Sequence, residues 1–335
     1  MSESKKTILV TGAGGFIGGH MVKHLLSKGE YLIRAVDIKN IDEWHQKFDN
    51  AENISLDLSL LDSCQKACNG VSDVFNFACD MGGMGFIERF KAKCMLSVLI
   101  NTHLLMAAKE AGVCRYFYAS SACVYAQNKQ CTTQLSAGLK EEDAYPAMPE
   151  DGYGWEKLFS ERMCRHFRED FGLETRIARY HNIYGPNGTW CGGREKAPAA
   201  MCRKVISAQK TGGNKMNIWG DGEQTRSFTY IDDCIDGTLT LMYSDVTEPL
   251  NIGSSEMVTI NHLARLCEGF AGIELELNHL LDKPLGVRGR SSNNEKVKES
   301  LNWLPGISLA EGMKKTYEWI KEEMKNSDFQ EDPED

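Results

Sequence analysis

At 335 residues, with 42% hydrophobic and 25% charged positions, the chain has a globular composition and is long enough for two domains sharing a cleft. That balance excludes disordered and fibrous classes, and no stretch approaches the ~18 uncharged apolar residues of a membrane span, so no membrane partner is expected. A net charge of −9 argues against nucleic acid as a partner, yet leaves room for a small anion held by a local cluster of Arg and Lys.

The polar residues 1–6 run straight into a strand at TILVTG (7–12), which is expected to leave no room for a signal peptide. The twelve cysteines are scattered, with no CxxC pair and no Cys/His cluster at zinc spacing. The expectation is reduced, mostly buried thiols, no metal and a cytoplasmic address.

In chain order, a strand at 8–10 precedes a helix at 16–27, and strands follow at 32–36 and 74–77. A helical period covers 96–111 and ends at Gly112; 116–119 is again extended. Alternating strands and helices predict an α/β fold, a Rossmann-type doubly wound parallel sheet. After about residue 180, Gly- and Pro-bearing loops at 184–193 break the pattern, and 198–209 reads as a helix. The expected division is a dinucleotide-binding domain over 1–180, with 228–250 returning to it. A smaller, interleaved substrate-binding domain covers 181–227 and 251–325, and 326–335 forms a frayed acidic tail.

The segment TGAGGFIG (11–18) follows a strand and opens a helix. Gly12 permits the tight turn, Gly15 lets backbone N–H groups approach a pyrophosphate, and Gly18 lets the helix pack on the strand, with Phe16 and Ile17 in the same turn. A glycine triplet alone is weak, but here an acidic residue also ends the next strand. Asp37 would accept from the ribose hydroxyls and repel a 2′-phosphate, favouring NAD over NADP. Asp57 is a looser candidate for the adenine edge, and a solvated loop aspartate would look the same.

YxxxK occurs three times, at Tyr125/Lys129, Tyr153/Lys157 and Tyr317/Lys321. The chemistry needs a phenol, pKa ~10 when free, made acidic by an ammonium one helical turn away. Tyr317 lies in an amphipathic C-terminal helix and suits packing, while Tyr125 follows a strand directly and precedes non-helical residues. Tyr153 begins a helix expected to run to Phe167, downstream of the strand-end pair Ser120 and Ser121.

That arrangement resembles the extended short-chain dehydrogenase/reductases, the NAD-dependent epimerase/dehydratase family, over residues 7–321. Family-like pieces are NIYGP (182–186), RSFTYIDD (226–233), NIG (251–253) and LNWLP (301–305). Within the family, MGGMG (81–85), SSAC (120–123), GGREKAPAA (192–200) and GVRGR (286–290) are similar to the GDP-sugar 3,5-epimerases. The resemblance implies an isomerase that oxidises sugar carbon 4 transiently with NAD, inverts carbons 3 and 5, and re-reduces. Cofactor is then recycled within each turnover. A homodimer is also implied.

Nucleotide-sugar 4,6-dehydratases of this fold place an Asp-Glu pair where Ala122 and Cys123 stand, so the acid and base for elimination are missing here. A ketone at carbon 4 would acidify the hydrogens on carbons 3 and 5, and two groups on opposite faces would exchange them. Cys123 and Lys196 are the candidates, with Ser121, Tyr153 and Lys157 handling the redox step. Alone, Cys123 could equally be a buried structural thiol, and Lys196 a solvated or phosphate-binding lysine.

For the substrate's diphosphate, a planar guanidinium in a Gly-flanked loop makes Arg288 the leading anchor, followed by Lys204 and Arg226. The resemblance adds contacts from Gly82, Gly83, Ser121, Ala122, Asn182, Glu195, Ala197, Gln224 and Thr225. Nothing in the spacing specifies guanine. The main alternative is another nucleotide-sugar enzyme of the fold, such as a carbon-4 epimerase, which needs no solvent-proton exchange. A non-catalytic NAD-binding regulator would be expected to lose Tyr153 or Lys157, and both are present.

Overall fold

The computed structural model describes residues 5–133, 138–149, 151–283, 286–327 and 329. Seven parallel strands form the main sheet, in spatial order Leu250–Ile252, Glu174–Tyr180, Arg115–Ser121, Asp73–Asn76, Thr7–Thr11, Leu32–Asp37 and Glu52–Ser55. The chain winds outward from Thr7–Thr11 through the next two strands, then crosses back and winds the other way. This is the Rossmann-type doubly wound sheet, and the reversal opens a crevice at the carboxyl end of the first strand.

The first strand shows why these residues make a central strand. Ile8 and Val10 join the apolar cluster with Met21 and Val22 of the helix Phe16–Lys28, while Leu9 faces Leu104 and Leu105 of the helix Ser97–Glu110. A parallel strand covered on both faces is apolar throughout, and that removes the alternation of a half-exposed strand.

The second lobe is built from small pieces. Lys215–Trp219 pairs in parallel with Glu276–Leu280. Thr225–Ser227 lies between an antiparallel neighbour, Met257–Thr259, and a parallel one, Gly289–Arg290. Helices Ala197–Thr211, Ile260–Ala271 and Leu309–Lys325 pack on one another. One apolar cluster runs from Ile8 through Met201 and Ile218 to Met313, so the lobes share a core.

The helix bearing Tyr153 spans Asp151–Phe171, longer at both ends than its expected range. Its register is held by a buried ion pair: Arg179 reaches Glu161 at 2.9 and 2.7 Å, and Ser120 Oγ donates to the same carboxylate at 2.5 Å. A bidentate pair with its remaining lone pair satisfied is the geometry that offsets the desolvation of two charges. One expectation needs correction: Tyr125 is followed by a 3-10 turn, Gln127–Gln130, instead of non-helical chain. The strand Leu250–Ile252 forms one edge of the main sheet. Among the described residues no helix is long and apolar enough to cross a membrane.

Candidate active site

At the crevice, Gly12 has φ +66°, and a Cβ there would lie 2.9 Å from the backbone of Phe77, at the end of the neighbouring strand. A Cβ on Gly18 would strike the Gly12 carbonyl. The turn is therefore closed backbone to backbone, and the helix Phe16–Lys28 starts beside it with no side chain capping its first N–H groups. Phe16 and Ile17 form its first turn. Asp37 is buried at the end of the second strand, where Oδ2 accepts from Gly14 N at 3.0 Å and Oδ1 from Lys39 N at 3.1 Å. A cradle that any side chain would fill, with a carboxylate at its edge, fits a dinucleotide. Asp57 Oδ1 accepts from Ser59 N at 2.9 Å, within its own loop.

The strand Arg115–Ser121 delivers Ser121 to the same edge, where Ser121 Oγ accepts from Cys123 N at 3.2 Å and bonds the Tyr153 phenol. Lys157 is buried, with Nζ 4.8 Å from the Tyr118 ring centroid and 5.6 Å from that of Tyr153. The helix thus places phenol and ammonium on one face, as the i, i+4 spacing requires. Burial pushes the Tyr153 phenol well above its ordinary value; Cys79, Cys123 and Glu156 add to this, and only the Ser121 bond opposes them. Desolvation sets this direction, which is opposite to the acidification expected. For Lys157, burial pulls the ammonium down, but Cys79 and Glu156 overcome it and leave it raised.

Tyr153 lines a cavity of about 680 Å³ between the lobes, within the usual range for small-molecule sites. Ser121, Ala122 and Cys123 form its floor beside Tyr153, and Asn182, with φ +48°, borders it. From the other lobe come Glu195, Lys196 and Ala197, then Lys204, Gln224 and Arg226. Lys196 is the N-cap of the helix Ala197–Thr211. Burial lowers its ammonium below the ordinary lysine value, Cys123 works against this, and Arg290 adds to it. A helix N-terminus also disfavours a cation.

Gly82 and Gly83 bring the loop 81–85 against the loop 192–196. Gly83 N donates to Arg194 O at 3.0 Å, and a Cβ on Gly83 would strike the Glu195 carbonyl. Arg194 stacks over Phe86, 3.9 Å from the ring centroid, and reaches Asp80 at 3.1 Å. Two of the segments that carried the family resemblance are thus one contact. Behind them Glu195 pairs with the buried Arg203 at 3.1 Å.

Arg288 is not among the cavity-lining residues; Asp221 holds it at 3.0 Å near the surface. Thr225 is likewise behind the wall, with Oγ1 donating to Thr133 O at 2.8 Å. The guanidinium at the floor is Arg290, whose Nη1 lies 3.4 Å from Cys123 Sγ and whose Nε donates to Gln130 Oε1 at 2.6 Å. Sequence reasoning quoted its segment and chose the other arginine. Trp219, Lys283 and Phe329 also line the cavity and went unnoticed. Phe329, within the expected acidic tail, packs edge-on to Trp190 at 5.1 Å. Residues 328 and 330–335 of that expectation lie outside the described residues.

The family whose sequence profile matches residues 8–253 is the NAD dependent epimerase/dehydratase family. GDP-mannose 3,5-epimerase 1 of Oryza sativa subsp. japonica is 49% identical over 329 residues, 98% of this chain and 85% of that protein. GDP-mannose 3,5-epimerase of Arabidopsis thaliana is 48% identical over 96% of this chain and 84% of its own length. Among solved structures, UDP-glucose 4-epimerase of Thermotoga maritima, with UDP-glucose, superposes with TM-score 0.84 at 26% identity, covering 95% of this chain and 99% of that one. UDP-glucuronic acid 4-epimerase of Bacillus cereus, with UDP-glucuronic acid and NAD, gives 0.78 at 26% identity over 94% and 99%.

The Asp37 carboxylate suggests a direct test of cofactor choice. Asp37→Ala should weaken NAD binding and narrow the NAD/NADP affinity ratio by about tenfold or more, measured by calorimetric titration. An unchanged ratio would remove Asp37 from the ribose site.

Proposed function

The chain belongs to the NAD-dependent epimerase/dehydratase family, and we propose that it converts GDP-mannose to GDP-L-galactose by inverting sugar carbons 3 and 5. The observation that carries this reading is the presence of Cys123 and Lys196 in one cavity with Tyr153, on opposite lobes. A carbon-4 epimerase needs no such acid/base pair, and the dehydratase Asp-Glu pair is absent.

Bound NAD supplies the hydride acceptor and donor at carbon 4, so the sugar passes through a 4-keto state. Gly12, Gly15, Gly18 and Asp37 would hold it. Tyr153 takes the carbon-4 hydroxyl proton and later returns it, with Ser121 fixing the phenol and Lys157 supplying positive charge behind it. In the keto state the hydrogens on carbons 3 and 5 are acidic. The Cys123 sulfur removes a proton, the Arg290 guanidinium stands against that sulfur, and the Lys196 ammonium delivers a proton to the opposite face. Arg226 and Lys204 suit the diphosphate.

We further infer a homodimer. Leu96, Leu99, Trp155 and Phe159 are exposed large apolar side chains at the start of one helix and along its packed neighbour, Trp155 and Phe159 being one turn apart. Twelve scattered cysteines, with no CxxC pair, suit a reducing compartment and hence the cytosol.

Cys123→Ala should retain oxidation at carbon 4 in the presence of GDP-mannose yet lose deuterium uptake from heavy water at carbons 3 and 5, followed by NMR. Normal uptake in that variant would sink the assignment. Because burial lowers the Lys196 ammonium, its protonated, proton-giving form is lost as pH rises through a value below the ordinary ~10.4. The rate should therefore fall on an alkaline limb below that value, and Lys196→Arg should move the limb upward; a limb that stays put removes Lys196 from proton return. Leu96→Glu combined with Trp155→Glu should shift the sedimentation coefficient to that of a single chain, and an unaltered coefficient would count against pairing through this face.

A further inference from the structure

Glu156 and Lys157 are neighbours in sequence on the helix Asp151–Phe171, and side chains at i and i+1 of a helix diverge. Here both turn inward and are 2% exposed, while Trp155 just before them is exposed. Their charges meet, with Lys157 Nζ 3.6 Å from Glu156 Oε2. The carboxylate is also tied from its other side. Glu156 Oε1 accepts from the Tyr118 hydroxyl at 2.9 Å and from Ser160 Oγ at 3.0 Å. Oε2, shielded from water, has no donor but the Lys157 ammonium among the described residues. Tyr118 joins the two charges, since its hydroxyl holds the carboxylate and its ring centroid lies 4.8 Å from the ammonium.

A buried ammonium keeps its proton where a counter-charge offsets the water it has lost. The titratable groups facing Lys157 are Tyr153, Glu156 and Cys164 on its own helix, Tyr118 on the adjacent strand, and Cys79 on the loop after Asp73–Asn76. Burial holds both thiols and both phenols above their ordinary values, so they keep their protons at neutral pH. The negative charge in this set is the Glu156 carboxylate.

We propose that Glu156 is a positioning residue for the hydride step, the fixed counter-ion that keeps the Lys157 ammonium charged and in place beside the Tyr153 ring. Glu156 does not line the cavity, so it acts on the substrate only through Lys157. The inference rests on the redox roles given above to Tyr153 and Lys157. Tyr118 and Ser160 then belong to the same unit, because they hold the carboxylate that holds the lysine.

The test reads the lysine directly. In NAD-loaded protein carrying lysine labelled with carbon-13 at Cε, the Lys157 signal is identified by its loss in Lys157→Arg and followed by NMR against pH. In the wild type it should stay charged past the ordinary ~10.4. Glu156→Gln keeps the size of the side chain and an acceptor for Tyr118 and Ser160. It should lower the Lys157 midpoint by about one to three pH units, because the opposite charge beside it is gone. In a Cys123→Ala background, reduction of the bound cofactor by GDP-mannose, followed by absorbance, should then slow above the new midpoint. The maximal rate should fall while the half-saturating GDP-mannose concentration stays the same, and Glu156→Asp should restore most of the rate. A Glu156→Gln protein of unaltered melting temperature whose Lys157 midpoint stays put overturns the proposal. So does a wild-type Lys157 that titrates below ~10.4, which needs no variant. A midpoint that falls with no effect on cofactor reduction overturns the redox role of Lys157 itself, and with it the positioning role of Glu156.

Discussion

The backbone of Gly83 lies against that of Arg194 and Glu195, with a hydrogen bond across the join and no space for a methyl group. This contact ties the loop after the fourth strand of the sheet to the loop that carries Lys196. Because it is made by main chain, it fixes the distance between the lobes more rigidly than side-chain packing would. Lys196 can then sit over the strand-end turn holding Cys123, and Arg194 locks the join by covering Phe86. On the far side of the floor the buried Arg179–Glu161 pair sets the helix that carries Tyr153. Backbone contact above and an ion pair below give the cavity two stiff walls, with Cys123, Tyr153 and Lys196 between them.

Within those walls the electrostatics run against the sign of the whole molecule. The chain is acidic, yet Lys196, Lys204, Arg226 and Arg290 converge on one cavity. Partial burial makes such charges effective on an anion, since water screens them less. Desolvation also works against loss of the Tyr153 proton, while it favours loss of the Lys196 proton. One physical effect thus acts in opposite directions on the two groups, because a phenol becomes charged on losing its proton and an ammonium becomes neutral.

The sheet, its winding and the glycine turn were legible because each rests on local pattern: apolar runs, punctuation by glycine, an acidic residue at a strand end. Ser121, Tyr153 and Lys157 were legible from one strand end and one helical spacing. The second lobe was less so, since strands as short as Gly289–Arg290 carry no periodicity. Arg288 and Arg290 look alike in a sequence; only the turn bearing Asp221, far away in the chain, draws the first outward and leaves the second on Cys123. Trp219 carries no motif at all, although it lines the cavity. Phe329 was hidden by its acidic neighbours, whose composition says nothing about one aromatic side chain finding Trp190.

The cavity wall draws side chains from position 81 to position 329, contributed by both lobes. Contacts that distant in sequence close late, after the loop entropy between them has been overcome. A refolding chain should therefore recover its helices and central sheet well before it can bind a ligand. The site is a property of the fully assembled molecule, and regained activity is a stricter measure of native structure than regained secondary structure.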